Sequence, residues 1–312
     1  MTDRRPTSAR RAMRYLLSSI LCLAAAACGG EPDAMPDPRA ALRDTLETLL
    51  AQHPEATVAV AVRDPETDFA LDLRGDRPFH AASTMKVPVM IEVFRQAEAQ
   101  RFALGDALRV ENRFRSIVDG SAFRIEDDSD DAIYARLGET MTVRDLVYQM
   151  ITVSSNLATN LLIDFVSADT VQATSERLGT TTMRTLRGVE DLKAYRQGLS
   201  NSATAADLAT LLERLMQGTA VSPEADRQMV EILHAQRFNT MIPAGLPEGT
   251  RVAHKTGWIT EIHHDAAIVY PEDGAPYVLV VLTEGIADEA ASAALGAEIA
   301  RAVHAALRPG AE

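Results

Sequence analysis

What the chain lacks narrows it first. Of its 312 residues only two are cysteines, Cys22 and Cys28, and both precede the part that carries helix and strand patterning. No cysteine remains to staple the folded part, so burial alone must hold it, and a hydrophobic share of 46% supplies a core of ample size. Past the first linker there is neither internal repeat nor low-complexity tract, which excludes a repeat array. The leading apolar run, Leu16 to Ala27, is too short for a comfortable membrane span. Positive charge is also scarce, with 31 Lys and Arg against 44 Asp and Glu and a formal charge of −13. Such a surface repels nucleic acid, and no nucleic-acid partner is expected.

What is present begins with Arg4, Arg5, Arg10, Arg11 and Arg14 ahead of that apolar run. Residues 1–27 read as an export signal. Leu23-Ala-Ala-Ala-Ala-Cys28-Gly29 resembles a bacterial lipobox, in which Cys28 becomes the acylated first residue; an ordinary cleaved signal is the alternative. The mature protein is then a periplasm-facing lipoprotein that meets the membrane only through its lipid anchor. Loss of five arginines and one aspartate takes its formal charge from −13 to −17. Residues 28–38, rich in glycine and proline, read as a flexible tether.

The domain is expected over 39–312. Leu42, Leu46, Leu49 and Leu50 keep helical spacing, and TVAVAVRD and FALDLRG then alternate as two strands around the turn Asp64-Pro65-Glu66-Thr67. The middle turns helical. Val143, Leu146, Val147, Met150 and Ile151 form one stripe, opened by the capping pattern Thr142-x-x-Asp145, and Leu157, Leu161, Leu162 and Phe165 form another. Helices over Ala205–Met216 and Pro223–His234 precede three strands, RVAHKTGW, HDAAIVY and YVLVVLT, and a closing helix from about Asp288 to Leu307. Strands at both ends with helices between them predict an α/β chain of the α+β type. One antiparallel sheet flanked by terminal helices makes a sheet lobe (about 39–80 and 218–312), with an all-helical lobe (about 81–217) inserted. A cleft between lobes is the natural place for a site, and a monomer taking a small-molecule substrate is expected. The acidic run Glu126-Asp127-Asp128-Ser129-Asp130-Asp131 lacks the glycine and terminal glutamate of a calcium loop and reads as a solvated loop.

Chemistry concentrates in three places. In HAASTMKVPVMIEVF, Ser83 and Lys86 share one face at a helix start, while Val87, Met90, Ile91 and Phe94 bury another. An ammonium in that apolar setting loses affinity for its proton, leaving an amine that can take the serine's, and the helix start aims N–H groups at an anion forming there. An N-cap serine with an exposed lysine is the plain alternative. Ser154-Ser155-Asn156 falls at the break between the two helical stripes, offering a hydroxyl and a carboxamide, or simply capping the junction. Lys255-Thr256-Gly257 lies on a strand: a cation and a hydroxyl for a carboxylate beside a glycine that admits a close neighbour, or an edge strand guarded by lysine.

Together, S-x-x-K, S-x-N and K-T-G in this order resemble the serine β-lactamase and penicillin-binding peptidase superfamily. The resemblance runs from about Arg39 to the end. It implies a β-lactamase/transpeptidase-like fold with Ser83 as acylated nucleophile, Lys86 as its activator and Ser154 as proton relay to the departing nitrogen. Asn156 would touch the substrate's amide side chain, Lys255 and Thr256 would hold its carboxylate, and the N–H groups of Ser83 and Trp258 would take the oxyanion. The class A branch directs water from a glutamate after the helical lobe, which here implies Glu190. No metal or organic cofactor is implied; His254, His263, His264 and Asp265 read as structural or substrate-lining, since neighbours on a strand point to opposite faces.

The pattern departs from class A at four points. Asp191-Leu192-Lys193-Ala194 follows Glu190 without the usual asparagine, Ser155 replaces the usual aspartate, Trp258 replaces a small residue, and His263 and His264 stand where an assisting arginine is common. These leave acylation intact and bear on hydrolysis. The expectation is a class A type serine hydrolase of β-lactams. A D-alanyl peptidase or other small amide or ester hydrolase, acting on a cell-wall peptide, and a non-catalytic penicillin-binding envelope lipoprotein are the alternatives.

Overall fold

Alternation of side chains along five strands explains how the sheet forms and why both of its faces are covered. The computed structural model describes residues 37–310. The leader, Cys28 and most of the tether therefore lie outside the described residues. The longer helices are α1 (Pro38–Leu50), α2 (Lys86–Glu98), α3 (Val143–Thr152), α4 (Asn156–Val166), α5 (Ala168–Leu178), α6 (Ala205–Met216), α7 (Pro223–His234) and α8 (Glu289–Leu307). The principal strands are β1 (Thr57–Asp64), β2 (Phe69–Leu73), β3 (Arg251–Ile259), β4 (Ile262–Tyr270) and β5 (Tyr277–Glu284). They build one antiparallel sheet in the order β2-β1-β5-β4-β3. Early β1 lies against late β5, with Thr57 opposite Glu284 and Arg63 opposite Val278, so the two ends of the domain are stitched together. This is the antiparallel sheet with terminal helices and a helical insertion expected from the sequence.

Successive residues feed two cores. Ala59 and Ala61 of β1, Ile268 of β4 and Val278, Val280 and Leu282 of β5 face the inserted helices. Val58, Val60, Val62, Leu279 and Val281 face α1 and α8, where Leu42, Leu46, Leu295, Ile299 and Val303 complete a second cluster. Each fully buried Val or Leu contributes about 1.5–3 kcal/mol. Helix α6, read as part of the inserted lobe, packs directly on β1, β4 and β5, and α7 packs on β3. The inserted helices are thereby welded to the sheet along one face.

Helix ends follow the short polar residues that precede them. Asp37 accepts from Arg39 N with proline at the first position, Thr142 from Asp145 N, Ser155 from Ala158 N, Thr204 from Asp207 N and Asp288 from Ala291 N. At the far end Arg308, just past α8, clasps buried Asp64 of β1 through two hydrogen bonds of 2.9 and 3.1 Å, which fixes the closing helix against the sheet. No described helix is long and apolar enough to cross a membrane. The helix α5 and several two- or three-residue strand pairs are additions that the apolar periodicity did not reveal.

Candidate active site

Ser83 lies in a 3-10 turn, Ala82–Met85, that runs directly into α2, whose first residue is Lys86. Three residues per turn stack position i over i+3, which sets the serine above the lysine. The turn is entered through Ala82 at φ 44°, a left-handed conformation costly for a residue with a Cβ. His80 steadies it, its Nδ1 accepting the Ala82 N–H at 3.1 Å, so the ring proton sits on Nε2.

Lys86 is fully buried, and its Nζ reaches across to the break between α3 and α4. Its partners are Ser154 O at 2.6 Å, Asn156 Oδ1 at 2.9 Å and Ser154 Oγ at 3.1 Å. Burial pulls its pKa down to about 7, against the opposing charges of Asp128 and Glu190. A neutral amine has two hydrogens and one lone pair. The two carbonyl-type oxygens can only accept, so they take the hydrogens, and the lone pair is left for the one partner able to donate, the Ser154 hydroxyl. Among the described residues Lys86 Nζ makes no hydrogen bond to Ser83 Oγ; the turn at 154–156 occupies the amine.

On the opposite side Lys255, also fully buried, donates to Ser154 Oγ at 3.0 Å and to Thr256 O at 2.9 Å. Burial, reinforced by the charge of Lys86, holds its pKa well below the usual lysine value. The Ser154 hydroxyl thus bridges two amines, accepting from one and free to donate to the other. Ser154 holds this place at φ 61°, again left-handed. Gly257 brings the edge strand β3 against the nucleophile turn: a Cβ there would stand 3.0 Å from Ser83 N, 3.1 Å from Thr84 N and 3.2 Å from Ala82 Cβ. Next to it Trp258 is 59% exposed, so its ring lines the pocket mouth and does not fill the pocket.

The pocket, about 270 Å³, is lined by Ser83, His80, Asn156, Glu190, Leu192, Tyr195 and Trp258, among others. Glu190 comes from the loop between α5 and α6, which two asparagines pin. Asn160 of α4 pairs with both sides of Val189, accepting its N–H at 2.6 Å and donating to its carbonyl at 2.9 Å. Asn201 accepts from Leu186 N and Arg187 N and donates to Arg187 O. The next carboxylate, Asp191, caps the short helix Leu192–Arg196 and accepts from Ser116 Oγ and Ile117 N. Glu190 itself stands at φ 60°, exposed, with no side-chain hydrogen bond among the described residues. Desolvation and the charges of Asp127 and Asp128 raise its pKa, opposed by Arg187 and Lys86.

One expectation is corrected here. The acidic run is not simply solvated: Asp130 is buried, and Asp128 accepts the N–H groups of Asn156 and Leu157, both at 2.8 Å. A carboxylate beside the free N–H groups of a helix start satisfies them and complements their partial positive charge. The histidines go separate ways. His254 Nδ1 pairs with Asp265 at 2.9 Å and its Nε2 with Asn239, while His264 donates to His80 O and accepts from Thr283 N. Among the described residues no three or more metal-ligating side chains converge. Sequence reasoning missed Asp128, Asn160 and Asn201, whose only local signal is a short polar side chain able to bond a distant backbone.

With this geometry in place, the comparisons with known proteins fall in line. The model of the beta-lactamase enzyme family matches residues 41–307. A β-lactamase of Rhodobacter capsulatus is 27% identical over 226 residues, 72% of this chain and 73% of its own. A solved β-lactamase from Sphaerobacter thermophilus superposes with a TM-score of 0.75 at 29% identity, covering 86% of this chain and 98% of that one. PBP-A gives a TM-score of 0.75 at 26% identity over 85% and 95% of the two chains. A mutant of PBP-A has been solved as an acyl-enzyme complex with penicillin G.

Proposed function

The chain belongs to the β-lactamase enzyme family, and on that premise we propose that it opens a β-lactam amide through an ester formed on Ser83. The family makes it a hydrolase of β-lactam amide bonds; the route and the residues are our reading. On substrate binding Lys86 turns its lone pair from the Ser154 hydroxyl to Ser83 and takes the Ser83 proton as Oγ attacks the carbonyl, and the N–H groups of Ser83 and Trp258 receive the oxyanion. The ring C–N bond breaks, and the Ser154 hydroxyl passes a proton to the departing nitrogen while Lys86 returns one to Ser154. Lys255 and Thr256 hold the substrate carboxylate, and Asn156 meets the acyl side chain. Water, directed by Glu190, then hydrolyses the ester and frees Ser83.

The observation that carries this reading is the bridging position of Ser154 Oγ, 3.1 Å from one buried amine and 3.0 Å from the other. A purely structural lysine pair would be a costly way to fill a core. Mass spectrometry of the intact protein after exposure to a penicillin should find one covalent adduct on Ser83, absent in Ser83→Ala. No adduct with any β-lactam tried would leave a binding protein in place of an enzyme.

A second reading, slow hydrolysis of a D-alanyl peptide or another small amide or ester, draws on the exposed, unbonded Glu190 and the missing asparagine after it. Rapid nitrocefin turnover supports the first reading, and a long-lived fluorescent penicillin adduct supports the second. The location belongs to the same proposal: an exported monomer, anchored through lipid on Cys28 and facing the periplasm. Cys28→Ser should then move the protein from the membrane fraction to the soluble one.

A further inference from the structure

Ser154 occupies a conformation that serine does not choose, and such a conformation persists only where its surroundings over-determine it. The surroundings that do so come from the acidic loop. Ser129 Oγ donates to Val153 O at 2.6 Å, on the N-terminal side of Ser154. On the other side, Asp128 Oδ1 accepts the Asn156 N–H and Oδ2 the Leu157 N–H, both at 2.8 Å, and Tyr134 Oη donates to Oδ2 at 3.1 Å. The carbonyl of Asp127 takes a long contact, 3.5 Å, from Asn156 Nδ2. One loop therefore grips both flanks of the turn that supplies all three partners of Lys86.

We propose that Asp128 is a positioning residue: from a separate loop it supplies the carboxylate that Ser155 does not provide within the S-x-N motif, and it clamps the first turn of α4 so that Ser154 and Asn156 keep their hold on Lys86. The kinetic consequence rests on the acyl-serine reading; the positional one does not. Geometry alone accounts for the clamp, since two N–H groups at the start of α4 find both oxygens of one carboxylate at equal distance. An asparagine at 128 would present an N–H to one of those donors, and the turn would loosen.

A second effect separates this role from ordinary structural support. The charged groups facing Lys86 are Asp128 from the acidic loop, Glu190 from the loop after α5 and Lys255 from β3, while Ser154 and Asn156 are neutral. Asp128 favours the protonated amine, in opposition to burial. Removing its charge makes Lys86 give up its proton more readily, so the acid limb of the acylation profile moves to lower pH even as the plateau rate falls. A group that merely supported the fold would not move that limb.

The test is stopped-flow acylation of the full chain by a fluorescent penicillin across pH 5–9, in wild type, Asp128→Asn and Asp128→Glu, with amide hydrogen exchange at Asn156 and Leu157. For Asp128→Asn the expected plateau is about 10- to 100-fold lower, the scale of a small misplacement of a catalytic group. The acid limb should lie at lower pH, and exchange at the two amides should quicken. Asp128→Glu should restore the limb and part of the rate. An unchanged rate and limb in Asp128→Asn, with both amides still protected, would overturn the proposal. So would fast exchange of those amides in the wild type, a measurement that needs no variant to fold. A wild type that is never acylated sinks the acyl-serine reading instead, and the exchange data still decide the clamp.

Discussion

Two walls flank the nucleophile turn, and they are built to different standards. On one, Lys86 and Lys255 are buried completely, and both are tied to Ser154 through a closed set of hydrogen bonds. On the other, Glu190 has no side-chain partner, and Leu192 and Tyr195 are each 54% exposed. The two amines proposed for acylation are thus held in fixed places at the cost of burying them, whereas the carboxylate proposed for deacylation sits on a pinned loop but is itself exposed and without a side-chain partner. Lys86→Met removes the proton acceptor from the prepared wall and has the largest expected effect. Acylation should fall about 10²- to 10⁴-fold, the usual worth of a general base, as read by stopped-flow adduct formation. In the intact protein the same group fixes the pH dependence. Its pKa is lowered to about 7, so the amine is neutral above that pH and protonated below it. Acylation should fall about tenfold per pH unit on the acid side.

Gly257 tests the rigid wall through its backbone. A Cβ at this position meets Ser83 N and Thr84 N, main-chain atoms that cannot swing aside, so Gly257→Val must push β3 away from the nucleophile turn. The displaced strand carries the Trp258 N–H with it, and catalysis should drop about 10²- to 10³-fold, as when one oxyanion donor is lost. Overpacking adds a stability loss of about 1–3 kcal/mol, measurable as a lower Tm. A variant that loses stability while keeping its acylation rate would show that the strand's approach matters for packing alone.

The contrast between the walls also explains how far the sequence could be read. The rigid wall was legible because each motif sits at a recognisable place: Lys86 on the apolar helix α2, Lys255 on one of three closely spaced strands, and Ser154 at the gap between two helical stripes. The sheet was legible because β1 and β5 are short apolar runs rich in valine and bounded by turn residues, and α6 and α7 begin with Thr204 and Ser222 as caps. Asp128 was not, because a carboxylate in an acidic run carries no local sign that it will bond backbone 28 residues away. Neither were the left-handed positions at Ala82, Ser154 and Glu190, which tertiary contacts impose on residues that local propensity would place elsewhere. Glu190 was found by its distance from Ser154, but distance along the chain says nothing of whether a side chain will find a partner.

Glu190→Gln addresses the looser wall. The carboxylate's pKa is raised by desolvation and by Asp127 and Asp128, which brings it closer to the range in which a base can take a proton from water. Its exposure should keep its contribution modest. Deacylation is expected to slow by roughly 10- to 100-fold, toward the low end of general-base effects, with the plateau acylation rate unchanged and its acid limb moved to lower pH by loss of the charge near Lys86. An acyl-enzyme that accumulates in this variant, seen as a persistent adduct by mass spectrometry, would sharpen the division between the walls. Equal turnover in variant and wild type would remove Glu190 from the deacylation step.

Trp258 lies where the two walls meet, and its replacement should matter least. Its N–H belongs to the rigid strand, but its ring, 59% exposed, faces solvent at the mouth beside the exposed loop. Trp258→Ala leaves the main chain in place, so acylation of a small penicillin should stay within about twofold and stability within about 0.5 kcal/mol. What the ring can offer is contact with an apolar or aromatic acyl side chain, worth about 0.5–1.5 kcal/mol, or about 2- to 10-fold in KM. Bulky aromatic substrates should therefore lose affinity while compact ones do not. If compact substrates gained instead, the ring would be acting as a barrier across the mouth, and the looser wall would extend onto the edge strand itself.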